Sequence, residues 1–170
     1  MLPTSSAPEA SSAPPAARTL LSASPEATRE LAARLSRVAL AGDVLALFGE
    51  LGAGKTQFAK GFATGLDVTA TVNSSSFVLM SEYLGRLPLF HLDLYRLAET
   101  ADGPVDALAS GLLDERQAEG VCLIEWAERL GPALPTDRLE VRIDGTGDAP
   151  RTIGLIATGP RHRRYLEVAW

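Results

Sequence analysis

The sequence predicts an α/β fold in three layers, with a mixed central sheet flanked by helices. Three observations carry that prediction. A continuous apolar run, Val44 to Phe48, is closely bounded by glycine on both sides, the pattern of a strand buried on both faces. It opens directly into Gly49-Glu50-Leu51-Gly52-Ala53-Gly54-Lys55-Thr56 and a helical stretch. Two further strand-like runs, Phe77 to Tyr83 and Pro88 to Asp93, are joined only by Leu84-Gly85-Arg86-Leu87, too short for the crossover that parallel strands need. The first two features ask for a strand–turn–helix unit and the third for an antiparallel pair, hence a mixed sheet.

Along the chain, residues 1–23 are expected to form a disordered tail. Of the first 18 residues, 13 are Ala, Ser or Pro, and such a segment has too little apolar surface to offset its ordering entropy. It also lacks the basic start and apolar segment of a secretory signal. A single domain, 24–170, should open at Ser24-Pro25-Glu26, an N-cap, a proline at the first helical position and an acid in the first turn. Leu31, Leu35 and Val38 recur at i, i+4 and i+7 and extend that helix to about Ala39. Gly42-Asp43 turns the chain into the Val44–Phe48 strand, and a second helix runs from about Lys55 to Thr64, stopped at Gly65. A helical stretch around Pro104 to Ser110 leads to a buried strand, Val121 to Ile124. Arg138 to Ile143 and Arg151 to Ile156 alternate about a Gly-Thr-Gly turn and predict a closing hairpin. Arg161 to Trp170 reads as a short helix.

At 170 residues the chain suits one domain with a real core. No apolar run approaches the roughly 18 residues that span a bilayer. The lone Cys122 excludes an internal disulfide and a cysteine zinc site. A net charge of −5 argues against a surface that grips nucleic acid as a whole. The cations are 14 Arg and only 2 Lys, Lys55 and Lys60, which makes each lysine worth inspecting.

Lys55 belongs to the strongest motif. Gly49 to Thr56 matches G-x-x-x-x-G-K-[ST] at every fixed position. The glycines let backbone N–H groups converge on phosphate oxygens, and the following helix presents its positive end there. Lys55 adds a compact cation for the outer phosphates, and Thr56 offers a hydroxyl to Mg²⁺. The bland alternative, a glycine-rich turn without a ligand, loses to the strand before and the helix after. Two acids then stand at expected strand ends: Asp93 in His91-Leu92-Asp93-Leu94-Tyr95-Arg96, and Glu125 after Val121-Cys122-Leu123-Ile124. The second resembles a Walker B element with Glu for Asp, able to serve Mg²⁺ or orient the attacking water. Behind a P-loop, that reading outweighs two structural caps. Asn73-Ser74-Ser75-Ser76 falls where a γ-phosphate-sensing segment often lies. His91 reads as packing rather than catalysis. Arg161, His162, Arg163 and Arg164 read as a solvated face ahead of a tRNA contact.

Thr28, Gly49 to Thr56, Ser74 to Phe77, the run from His91 to Arg96 and Ile124-Glu125-Trp126 occur in the order and spacing of one group. Over about residues 24–157 the chain resembles the TsaE (YjeE-type) family, bacterial ATPases of tRNA threonylcarbamoyladenosine biosynthesis. The resemblance implies a P-loop NTPase-like fold, a cytoplasmic location, and ATP binding with Mg²⁺. It also implies weak hydrolysis by the protein alone and action with TsaB and TsaD homologues, tRNA being met only through that complex. Carried over by position, Thr28, Glu50, Leu51, Gly52, Ala53, Gly54, Lys55, Thr56 and Gln57 attend ATP. Thr56 and Glu125 attend the metal, and Asp93, Glu125 and Ser76 the hydrolysis. The chain departs from the family at Ser75, where proline is usual, and at Ala127, where proline commonly follows the Trp. The alternative of a small-molecule kinase needs an Arg-bearing lid between core elements. The Arg161–Arg164 cluster, after the last strand, makes a poor one.

Overall fold

The structure, a computed structural model, describes residues 16–73, 80–95 and 118–170. Seven strands lie among them: β1 (Ala16–Ser22), β2 (Val44–Phe48), β3 (Met80–Tyr83), β4 (Leu89–Asp93), β5 (Val121–Glu125), β6 (Leu139–Asp144) and β7 (Arg151–Ala157). Two α-helices, α1 (Pro25–Ser36) and α2 (Lys55–Gly65), and two 3₁₀ segments, Ala127–Ala133 and Pro160–Glu167, complete them. The strands form one sheet in the order β1-β7-β6-β2-β5-β4-β3. Its centre is parallel, β2 pairing with both β5 and β6, and β4 with β5. Antiparallel partners flank that centre: β3 on β4, and β7 on β6 followed by β1 on β7. The α/β fold with a mixed sheet is therefore as the sequence predicts. The stretch Pro104 to Ser110 and residues 74–79 lie outside the described residues.

Strand alternation sends the core to both faces of the sheet. Leu45, Leu47, Leu123, Val141 and Leu155 face a layer in which Leu35 of α1 and Phe58 and Phe62 of α2 are fully buried. Val44, Ala46, Phe90, Cys122 and Ile124 face the other way, onto Ala127 and Leu130 of the first 3₁₀ segment. The two α-helices touch closely at Gly61, where a Cβ would lie 2.1 Å from the Arg29 carbonyl oxygen. The Ser24 side chain caps α1 by accepting from the Ala27 N–H at 3.1 Å. None of the described helices is long and apolar enough to cross a membrane.

Two expectations need correction. The segment 16–22, assigned to a disordered tail, is strand β1 in full antiparallel register with β7, from Ala16↔Ala157 to Ser22↔Arg151. Its partner supplies what local composition lacks: paired backbone, and core surface for Leu20. Arg18 also donates to the Leu166 and Val168 carbonyls at 3.0 and 2.8 Å and lies over the Trp170 ring. The basic cluster is not simply a solvated face. The fully buried Asp43 carboxylate accepts from Arg161 Nε at 3.2 Å, from Arg164, from Tyr165 Oη at 2.7 Å and from the Leu40 N–H at 2.9 Å. His162, also buried, accepts the Val44 N–H on Nε2 at 3.1 Å. Its Nδ1 therefore carries the hydrogen donated to Asp137 at 2.7 Å. These contacts fasten the Pro160–Glu167 segment beneath the start of β2; Arg163 stays exposed, and so does Arg161 despite its bond to Asp43.

Candidate functional site

The turn from β2 into α2 is built from glycines at positive φ. Gly54, the residue that caps α2, has φ 110°, a conformation that side-chain-bearing residues avoid. The first N–H groups of α2 have no preceding helical turn to bond, so they are available to an anion. Lys55, only 5% exposed, folds back over the loop. Its Nζ donates to the carbonyls of Gly49 at 2.5 Å and Glu50 at 2.9 Å, and lies 3.7 Å from the centroid of the Trp126 ring. Burial pushes the Lys55 ammonium below the ordinary lysine range, against the opposing charges of Glu125, Glu128 and Asp93.

The parallel register of β4 and β5 sets Asp93 opposite Glu125. Glu125 is 2% exposed and both of its oxygens are engaged: Thr56 Oγ1 donates to Oε2 at 3.0 Å, and His91 Nε2 meets Oε1 at 2.9 Å. Asp93, half-buried, accepts the Tyr95 N–H at 3.1 Å. Burial pushes its carboxyl above the ordinary range. The Tyr95 hydrogen bond opposes this rise and the Glu125 charge adds to it. A cleft of about 560 Å³ brings together Thr28, the loop from Leu51 to Gln57, Glu125 and Trp126. Asp93 stands beside Glu125 and does not line that cleft, and Glu50 contributes its carbonyl to Lys55. Ser76 lies outside the described residues.

Three neighbours of the cleft escaped the sequence reading or were left undecided. Arg151 at the start of β7 donates to the carbonyls of Ala53 at 2.9 Å, Gly52 at 3.3 Å and Gly147 at 2.8 Å, tying the β6–β7 turn to the loop. Nothing local marks its tie to the loop, since Ala53 and Gly52 lie 98 and 99 residues away. Ser22 bonds the buried Thr28 hydroxyl at 2.7 Å, a contact that exists only because β1 is ordered. Trp126 adopts left-handed backbone, φ 59° and ψ 42°, an uncommon state for so large a residue, and packs on Tyr95 with ring centroids 5.0 Å apart.

The donors at the cleft floor are oxygens, the Thr56 hydroxyl and the Glu125 carboxylate, with Asp93 alongside. No group of three or more His, Cys, Asp or Glu that could hold a metal occurs among the described residues. That set fits a hard divalent ion taking one or two protein oxygens, with phosphates and water completing its shell. A family model described as threonylcarbamoyl adenosine biosynthesis protein TsaE matches residues 22–153. The chain belongs to the TsaE family. Among curated members, the tRNA threonylcarbamoyladenosine biosynthesis protein TsaE of Bacillus subtilis is 42% identical over 144 residues, 84% of this chain and 87% of its own. The protein of the same name from Streptomyces coelicolor is 39% identical, over 78% of this chain and 92% of its own. The crystal structure of Bacillus subtilis YdiB superposes with a TM-score of 0.70 at 37% identity, covering 90% of this chain and 93% of that one. This TsaE family member thus shares the fold along nearly its whole length with a solved structure.

Proposed function

We propose that the chain binds ATP with Mg²⁺, hydrolyses it weakly alone, and drives or resets a TsaB–TsaD pair in tRNA threonylcarbamoyladenosine biosynthesis. The observation that carries the proposal is the Thr56–Glu125 contact at 3.0 Å beneath a complete P-loop. It joins the hydroxyl of the motif to a buried carboxylate from a neighbouring strand, which a ligand-free turn does not require. In this reading the α2 N–H groups and Lys55 bind the phosphates, Lys55 exchanging the Gly49 and Glu50 carbonyls for phosphate oxygens. Thr56 and Glu125 would hold Mg²⁺, which when bound neutralises charge on the phosphate oxygens. Asp93 orients the attacking water and accepts its proton, a role suited by its raised carboxyl. The setting is cytoplasmic. tRNA is met through the complex: the net charge is −5, and Arg161 and Arg164 are committed to Asp43.

Titrating ATP with and without TsaB–TsaD tests the reading. ATP should alter affinity for the pair, and the pair must alter ATP affinity by the same factor. Lys55→Ala should weaken ATP binding in both arms. An ATP affinity indifferent to the pair, together with rapid phosphorylation of a small hydroxyl acceptor, would instead establish a kinase.

A further inference from the structure

His91 lies in the parallel core of the sheet, 3% exposed, on β4 next to β5. It is not among the residues lining the cleft; its ring is turned to Glu125. Its Nε2 lies 2.9 Å from Glu125 Oε1. An ionised carboxylate can only accept, so Nε2 carries the hydrogen of that bond. The other oxygen, Oε2, is taken by the Thr56 hydroxyl at 3.0 Å. The two oxygens of one buried carboxylate are thus divided between a group on the cleft side and a group behind it.

We infer that His91 is a positioning residue: it holds Glu125 from behind so that Oε2 is presented to the cation and Thr56. The inference rests on the reading of Thr56 and Glu125 as the Mg²⁺-binding pair. Glu125 ends β5 with a side chain that has two free torsions before its carboxyl group. Thr56 cannot fix it alone, because its oxygen would be shared with the cation once metal enters. Among the described residues, the imidazole makes the one side-chain bond to Glu125 that metal binding leaves untouched. Partners that orient a ligating carboxylate in this way typically change metal affinity 10–100-fold when removed.

Calorimetric titration of ATP over a series of MgCl₂ concentrations tests this without relying on turnover. His91→Leu and His91→Phe remove the donor. His91→Gln carries an amide N–H near the position of Nε2, whereas His91→Asn is one bond too short. The apolar variants and His91→Asn should bind Mg²⁺-free ATP within twofold of the parent and require 10–100-fold more Mg²⁺, with His91→Gln recovering most of the loss. On a Glu125→Gln background, His91→Leu should add less than twofold. Any folded donor-less variant with a parental Mg²⁺ requirement overturns the inference and leaves the nucleotide reading standing, as does failure of His91→Gln to rescue. A parent chain whose ATP affinity ignores Mg²⁺ overturns the metal reading and the inference together.

Discussion

Burial holds the Asp93 carboxyl above its ordinary range, so the folded state binds that proton more tightly than the unfolded chain does. The resulting stabilisation is full below the unfolded pKa and is lost as pH rises through the folded one. At neutral pH the charge is a burden on the fold. Asp93→Asn keeps an oxygen for the Tyr95 N–H and removes the charge. It should melt at or above the parent temperature at pH 7, an advantage that disappears below the ordinary carboxylate range, while partner-stimulated ATP turnover falls at least about tenfold, or ~1.4 kcal/mol of barrier. A variant with reduced stability and normal turnover would make Asp93 a cap. Arg151 makes a second residue-level prediction. Because its guanidinium holds Ala53, Gly52 and Gly147 carbonyls at once, Arg151→Ala should weaken ATP binding by about tenfold, ~1.4 kcal/mol. Arg151→Lys should recover little, since a point cation cannot reproduce the fork. Calorimetry on both variants decides it.

Among the elements, β1 separates what local sequence can say from what it cannot. The periodicity of α1, its Ser24 cap, the β2–loop–α2 unit, the β3–β4 hairpin and the β6–β7 hairpin were readable because each is specified by nearby residues. Thr56 and Glu125 were readable because a motif and a strand-end acid carry them. β1 was not, because its partner β7 begins at Arg151 and the surrounding Ala, Ser and Pro dominate any window average. The role of Arg151 was hidden for the same reason, and His91 offered only a residue type whose meaning depends on what faces it. Removing residues 1–23 should therefore destabilise the domain. Exposing the β7 edge and the surface under Leu20 should cost about 1.5–3 kcal/mol, lowering the melting temperature by roughly 3–12 °C in a chain of this size. The loss of Ser22 beneath Thr28 should also weaken ATP binding. A truncated chain that melts with the parent would return residues 16–22 to the tail.

At the scale of the whole molecule, Asp43 joins the C-terminal segment to the strand that feeds the nucleotide loop. Burial alone would raise its carboxyl, but the Arg164 contact, the Leu40 N–H and the Tyr165 hydroxyl outweigh it and the net direction is down. A depressed pKa contributes stability above the unfolded value and loses it as pH falls through the folded one. Asp43→Asn should therefore cost about 3–5 kcal/mol at neutral pH, and its gap to the parent in chemical denaturation should narrow as pH drops below the ordinary carboxylate range. An unchanged gap across that window would remove Asp43 from the acid response. The pairing of β1 with β7 has a further consequence, in time. During synthesis β1 emerges first, and its partner follows about 130 residues later. At roughly 5–20 residues per second, the outer edge stays open for on the order of ten seconds while the parallel centre is already being made. β1 thus waits for β7 before it can dock, and Leu20, which packs on the core once paired, remains accessible to chaperones until β7 has been made.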